Sequence, residues 1–68
     1  MELLAKKLGL FVREKRKENA LSQKELAHFM RTDQARISRI ETGQANMLLS
    51  EWVAFCRVVG IHPKELPC

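Results

Sequence analysis

The sequence predicts an all-α protein, a compact bundle of about five short helices. Three observations point that way. Apolar residues recur at helical spacing, with no strand-like alternation anywhere in the 68 residues. Helix start signals stand at Ser22 and Asp33, and stop signals at Gly43 and Gly60. The segments between them are too short for anything but brief helices joined by tight turns. One domain, residues 1–68, fits this length. A domain so small buries only about 60% of the surface its unfolded chain exposes, so a second copy of the chain is a ready source of further burial.

Composition narrows the class. With 46% hydrophobic and 29% charged residues the chain falls with globular proteins rather than disordered ones. No apolar run reaches the roughly 18 residues of a membrane span. The start, Met1-Glu2-Leu3-Leu4-Ala5-Lys6-Lys7, lacks the pattern of a signal peptide, and the expected location is the cytoplasm. Cys56 lies in an apolar stretch and reads as a small core residue; Cys68 reads as an adventitious thiol. There is no CxxC pair, and neither a metal nor a cofactor is expected. The formal charge is +4. Residues 1–41 hold ten Lys/Arg against six Asp/Glu, and residues 42–68 two against two, so the whole excess lies in the first segment. A positive excess gathered on one segment favours a nucleic-acid partner.

The first helix is expected over residues 3–18. Leu4, Leu8, Phe11 and Val12 share a face, and Arg13, Lys15, Arg16 and Lys17 crowd its C-terminal end, where the macrodipole favours cations. Asn19 is the expected left-handed stop. The second helix, residues 23–30, has the clearest start. Ser22-Gln23-Lys24-Glu25 is a capping box, with Leu21 and Leu26 as its hydrophobic staple. Leu26, Phe29 and Met30 are its apolar positions. Asp33 caps a third helix, residues 34–41, and Gly43 ends it. A fourth is expected over residues 49–59, stopping at Gly60. Pro63 opens a last turn through Leu66.

The third helix carries the chemistry. At 100° per residue, Ile37 and Ile40 face the core, while Gln34, Ala35, Ser38 and Arg39 lie opposite and Arg36 sits at the flank. Glutamine can bond adenine through two atoms, arginine can grip guanine, and alanine can touch a thymine methyl. Alone, such a face is also what an ordinary solvated helix shows. Its neighbour changes the balance. The second and third helices are joined by a few residues, as in a helix-turn-helix spanning about 22–42. Ala27 is small where the two would cross, and Gln23 opens a helix whose N-terminal amides favour a phosphate.

Leu21-Ser22-Gln23-Lys24-Glu25-Leu26-Ala27, followed by Ile37-Ser38-Arg39-Ile40-Glu41-Thr42-Gly43, resembles the Xre family of lambda-repressor-like and Cro-like regulators. The resemblance runs without insertions from about Leu8 through Ile61. It implies a compact bundle of about five helices with the third in the major groove of duplex DNA. It implies base reading by Gln34, Ala35, Ser38 and Arg39. It implies backbone contacts from Gln23, Lys24, Arg36, Gln44 and Asn46, and a structural ion pair between Arg16 and Glu41. The implied function is a transcriptional regulator, a repressor binding a two-fold symmetric operator as a homodimer. No catalytic constellation of Ser, His and Asp or of Cys and His stands in the sequence, and an enzyme is not expected.

Three departures from the family pattern matter. Arg31 stands where glycine is usual, so that either an L-residue sits at positive φ or the turn takes another geometry. Ala20 also replaces a common glycine. Met47-Leu48 replaces a common Pro-Ser, leaving the start of the fourth helix poorly marked. That helix carries two apolar stripes, Leu49, Val53 and Cys56 beside Leu48, Trp52, Phe55 and Val59. Either all of this arc is core, or Met47, Leu48, Val58, Ile61 and Leu66 form part of a two-fold contact between copies. The same apolar segment would also serve a protein partner, as in an antitoxin-like module that binds DNA only secondarily.

Overall fold

A computed structural model describes residues 2–61, with side chains from Ala5 onward. The described residues form four helices and no strand: α1 (Glu2–Glu18), α2 (Gln23–Phe29), α3 (Gln34–Glu41) and α4 (Leu49–Val59). The described residues are all-α, as the sequence predicts, and hold four of the about five expected helices. The turn expected at 63–66 lies outside the described residues, as do His62, Leu66 and Cys68.

Each start has an identifiable cause. Ser22 Oγ accepts the Glu25 amide at 3.0 Å, and the Glu25 carboxylate accepts the Ser22 amide at 2.9 Å, which satisfies two amides that the first turn leaves open. Asp33 Oδ1 accepts the Arg36 amide at 2.8 Å. Leu48, at the cap of α4, has no side-chain acceptor. Glu51 supplies half of a capping box, accepting the Leu48 amide at 2.7 Å.

The ends share one device. In each helix an amide just past the last turn bonds the carbonyl five residues back: Leu21 to Arg16, Thr32 to Ala27, Gln44 to Arg39 and Ile61 to Cys56. This is the Schellman closure, which needs a left-handed residue just before that amide. The four residues are Ala20 (φ 56°), Arg31 (φ 58°), Gly43 (φ 79°) and Gly60 (φ 73°). The left-handed stop of α1 is therefore Ala20 and not Asn19. The Asn19 amide still bonds the Lys15 and Arg16 carbonyls, so the helix carries through it and reverses one residue later. Arg31 keeps the left-handed geometry; the turn has not adopted another.

Val12, Leu26, Ile37, Ile40, Phe55 and Cys56 are fully buried, with Ala27, Trp52 and Val59 completing the core. Two rings extend it, with centroids 5.9 Å apart for both Phe11–Trp52 and Trp52–Phe55. α3 packs on both α1 and α2. The α1 contact depends on Gly9, where a Cβ would meet the Ile40 carbonyl and lie 2.7 Å from that of Glu41. Three apolar side chains stay exposed at the edge of this core. Phe29 is 58% exposed, and Leu48 and Leu49 are 63% and 79% exposed. The α4 arc is thus not all core.

Candidate nucleic-acid interface

The turn from Met30 to Asp33 sets how α3 is presented. The Arg31 amide bonds the His28 carbonyl, the Thr32 amide the Ala27 carbonyl, and Asp33 then starts α3 with no slack between. Ala27 is buried at 3% exposure, and α2 and α3 pack directly on each other. Backbone closure and a small contact residue hold the two helices against each other.

Within α3 the residues divide as the wheel requires. Ile37, Ile40 and Glu41 are buried; Gln34, Ala35 and Arg39 are exposed, and Ser38 is half-buried. The Ser38 carbonyl accepts both the Thr42 amide, at 3.1 Å, and the Thr42 hydroxyl, at 2.9 Å.

Arg16 and Glu41 form the expected pair. Arg16 Nε donates to Glu41 Oε2 at 2.7 Å and Nη2 donates to Oε1 at 3.1 Å, a parallel two-bond fork. Nη1 donates to the Leu21 carbonyl at 2.8 Å. The pair ties the end of α1 to the end of α3 and removes Arg16 from the free positive charge. Gln23 also reaches it, donating from Nε2 to Glu41 Oε1 at 3.1 Å, and Gln34 Nε2 lies 3.4 Å from Gln23 Oε1.

Arg36 is bound more tightly than its sequence position implies. Its Nε and Nη2 donate to the two Glu51 oxygens at 2.9 and 2.7 Å, and Nη2 also donates to the Asn46 carbonyl at 2.9 Å. Glu51 raises the Arg36 pKa, and the Arg36 hydrogen bond, more than the Leu48 amide, holds the Glu51 carboxyl below its ordinary value. Arg36 thereby fixes the loop after α3 as well as flanking the exposed face. Sequence reading missed Glu51 as its partner. Its place three residues after Leu48 marks Glu51 as a cap, but nothing in the sequence marks it as the partner of Arg36.

Arg39 differs from both. The ion pairs among the described residues join Lys15 to Glu18, Arg16 to Glu41 and Arg36 to Glu51. Arg39 is in none of them. Unlike Arg16 and Arg36, its guanidinium pairs with no acid among the described residues, and it lies with Gln34 and Ala35 on the exposed face.

A polar recess lies at each end of α3. Lys24, His28, Thr32, Asp33 and Gln34 line the one at its start. Gln44 and Asn46 line the one at its end, with Lys6 of α1. Lys6 was not among the sequence candidates. Its side chain lies over Gly43, where a Cβ would come within 2.6 Å of Lys6 Cγ. The residues named for a contact between copies line more than one groove. Met47 and Leu48 sit with Leu8, Leu49 and Trp52; Val58 sits with Asn19, Leu21 and Phe29; Ile61 is half-buried against the core.

Residues 7–67 match the family model of a helix-turn-helix domain. The chain belongs to the helix-turn-helix domain family. Solved structures agree. The restriction-modification controller protein C.AhdI from Aeromonas hydrophila superposes with a TM-score of 0.89 at 31% identity, over 96% of this chain and 94% of that one. Two structures of the clp gene regulator ClgR from Corynebacterium glutamicum give TM-scores of 0.87 and 0.84 at 22% identity. They cover 93% of this chain and 67% or 82% of theirs, and show the fold alone. No curated protein matches the sequence. The capping box, Ala27 and the run through Gly43, which carry the Xre-like resemblance, all lie within the matched segment. No helix of the described residues is long and apolar enough to cross a membrane.

Proposed function

We propose that this helix-turn-helix protein is a sequence-specific regulator of transcription in the cytoplasm, binding duplex DNA with α3 in the major groove. The observation that carries the reading is the composition of the α3 face. A helix locked to the core by Ile37, Ile40 and Glu41 offers Gln34, Ala35, Ser38 and Arg39 outward. These side chains suit base edges, and the guanidinium of Arg39 is of the kind that takes guanine N7 and O6. The recesses at the two ends of α3 bring Lys24 to one flank, where Gln23 lies against Gln34, and Lys6, Gln44 and Asn46 to the other. This arrangement suits the phosphates on either side of a groove. Arg36 belongs to the same flank, chiefly by holding the loop that carries Asn46.

The active form in this reading is a homodimer on a two-fold symmetric operator, with half-sites about 34 Å apart, and it represses by blocking polymerase. Likeness to a restriction-modification controller makes that setting the first to test. Selection of bound sites from random duplex DNA is the decisive experiment. A motif with two-fold symmetry supports the reading; retention of random sequence only, or of none, sinks it.

The exposed Leu48 and Leu49 favour a second reading, an antitoxin-like module that occupies a partner protein and binds DNA secondarily. A stoichiometric partner in complexes isolated from the native cell would support it over the homodimer.

A further inference from the structure

The buried Arg16–Glu41 pair continues to the surface. The Glu41 side chain is 2% exposed, and its Oε1 accepts from Gln23 as well as from Arg16. Gln23 then turns its own Oε1 toward Gln34. The sequence of contacts Arg16–Glu41–Gln23–Gln34 leads from the core to the first residue of α3.

A glutamine amide has an acceptor end and a donor end of nearly the same shape, so its partner decides which end points where. A carboxylate whose two oxygens both take bonds from Arg16 offers Gln23 only an acceptor. Gln23 must therefore turn its NH2 group inward and its carbonyl outward. That carbonyl also only accepts, so Gln34 turns its own NH2 toward it. At 3.4 Å this last contact is long for a hydrogen bond; it orients the amide more than it holds it. Gln34 is left with Oε1 as an acceptor and its second N–H as a donor, in a fixed order along the face of α3.

We propose that Glu41 is a positioning residue for recognition: through Gln23 it fixes the amide polarity of Gln34, and so the hydrogen-bond pattern that α3 offers a base edge. The pattern suits adenine, whose N6 donates and N7 accepts. The proposal rests on the DNA-binding reading above. Without the buried carboxylate both amides are free to turn over, and the face fits more than one base edge.

The test uses duplexes that vary one base pair at a time within the selected site. Gln34→Ala first locates the base pair that Gln34 reads. Gln23→Ala and Glu41→Gln are then each expected to lower discrimination at that base pair by about fivefold or more, leaving the other positions unchanged. Loss spread evenly over all positions would mean that Glu41 only holds the fold, and overturns the proposal; so does undiminished discrimination. Glu41→Gln leaves Arg16 buried without its counter-charge. The double variant Arg16→Met/Glu41→Leu, which removes both charges together, is therefore measured alongside. The side-chain amide resonances of Gln34 in the DNA-free protein give an independent readout. They are expected to shift and broaden in the Glu41 variants, and an unchanged amide refutes the relay. A wild-type protein with no sequence preference would defeat the DNA-binding reading, and the amide resonances would then decide the relay alone.

Discussion

At the scale of single residues, what distinguishes three arginines of like charge is what each is bound to. Arg16 and Arg36 are both forked onto carboxylates, while Arg39 pairs with no acid among the described residues. Arg39→Ala is expected to weaken specific binding by about 1–3 kcal/mol and to relax preference at one base pair. A titration of specific and random duplexes checks this, since equal loss on both would make Arg39 a phosphate contact. Arg31 bears on aim rather than contact. An L-residue held at φ 58° carries a penalty of about 1–2 kcal/mol, partly offset because glycine loses more entropy on folding. Arg31→Gly is therefore expected to stabilise the fold by about 1 kcal/mol, raising Tm by roughly 4–8 °C. A lower Tm in thermal denaturation would mean that the arginine side chain supplies more than the strain removes.

At the scale of elements, the Arg36–Glu51 contact joins the middle of α3 to the start of α4 and completes a cap that Leu48 cannot make alone. Its stability carries a pH signature. The folded-state pKa of Glu51 is lowered, first by the Arg36 hydrogen bond. The contribution is therefore fully present above the ordinary carboxylate value of 4.5 and is lost as pH falls below it through the lowered pKa. Glu25 is shifted the same way by the Ser22 contacts. Urea midpoints followed down from neutral pH are expected to fall below pH 4.5, and less steeply in Glu51→Gln; identical slopes would contradict the assignment. The helices themselves were legible in the sequence. Capping residues and glycines act locally: Ser22 and Asp33 mark the starts of α2 and α3, and Gly43 and Gly60 the ends of α3 and α4. The Arg36–Glu51 pair was not legible, because it joins side chains 15 positions apart with nothing local to couple them. Nor was the exposure of Leu49 and Phe29, while that of Leu48 was one of two alternatives. Periodicity reports a helix's apolar arc, but only packing decides how much of it the neighbours cover. Asn19 yielded to Ala20 for a similar reason, since tolerance of positive φ does not decide where the Schellman closure falls.

At the scale of the whole molecule, polar recesses and an apolar groove lie side by side, with Asn46 lining one recess and Met47 the groove. The recesses with Lys6 and Lys24 bracket α3, while Leu8, Met47, Leu48, Leu49 and Trp52 line an apolar groove beside the start of α4. If this groove joins two copies, Leu48→Lys/Leu49→Lys should give a monomer by sedimentation, with weaker and less cooperative operator binding. A dimer that persists in the variant would move the interface elsewhere. One further property follows from the closures at either end of α2. α1 and α3 are locked by a buried ion pair and by the close approach at Gly9, whereas α2 is bounded on both sides by L-residues held at positive φ, Ala20 and Arg31. Strain so placed lowers the free energy of opening that segment alone, and makes α2 the least protected part of the motif to native-state hydrogen exchange. Its amides should exchange by a sub-global opening while those of α1 and α3 wait for global unfolding. Glycine at both positions should bring the two rates together; α2 amides already as slow as those of α3 would show that the turns store no such weakness. Opening α2 would uncover Leu26 and Ala27, so the two strained turns set how often that part of the core meets water.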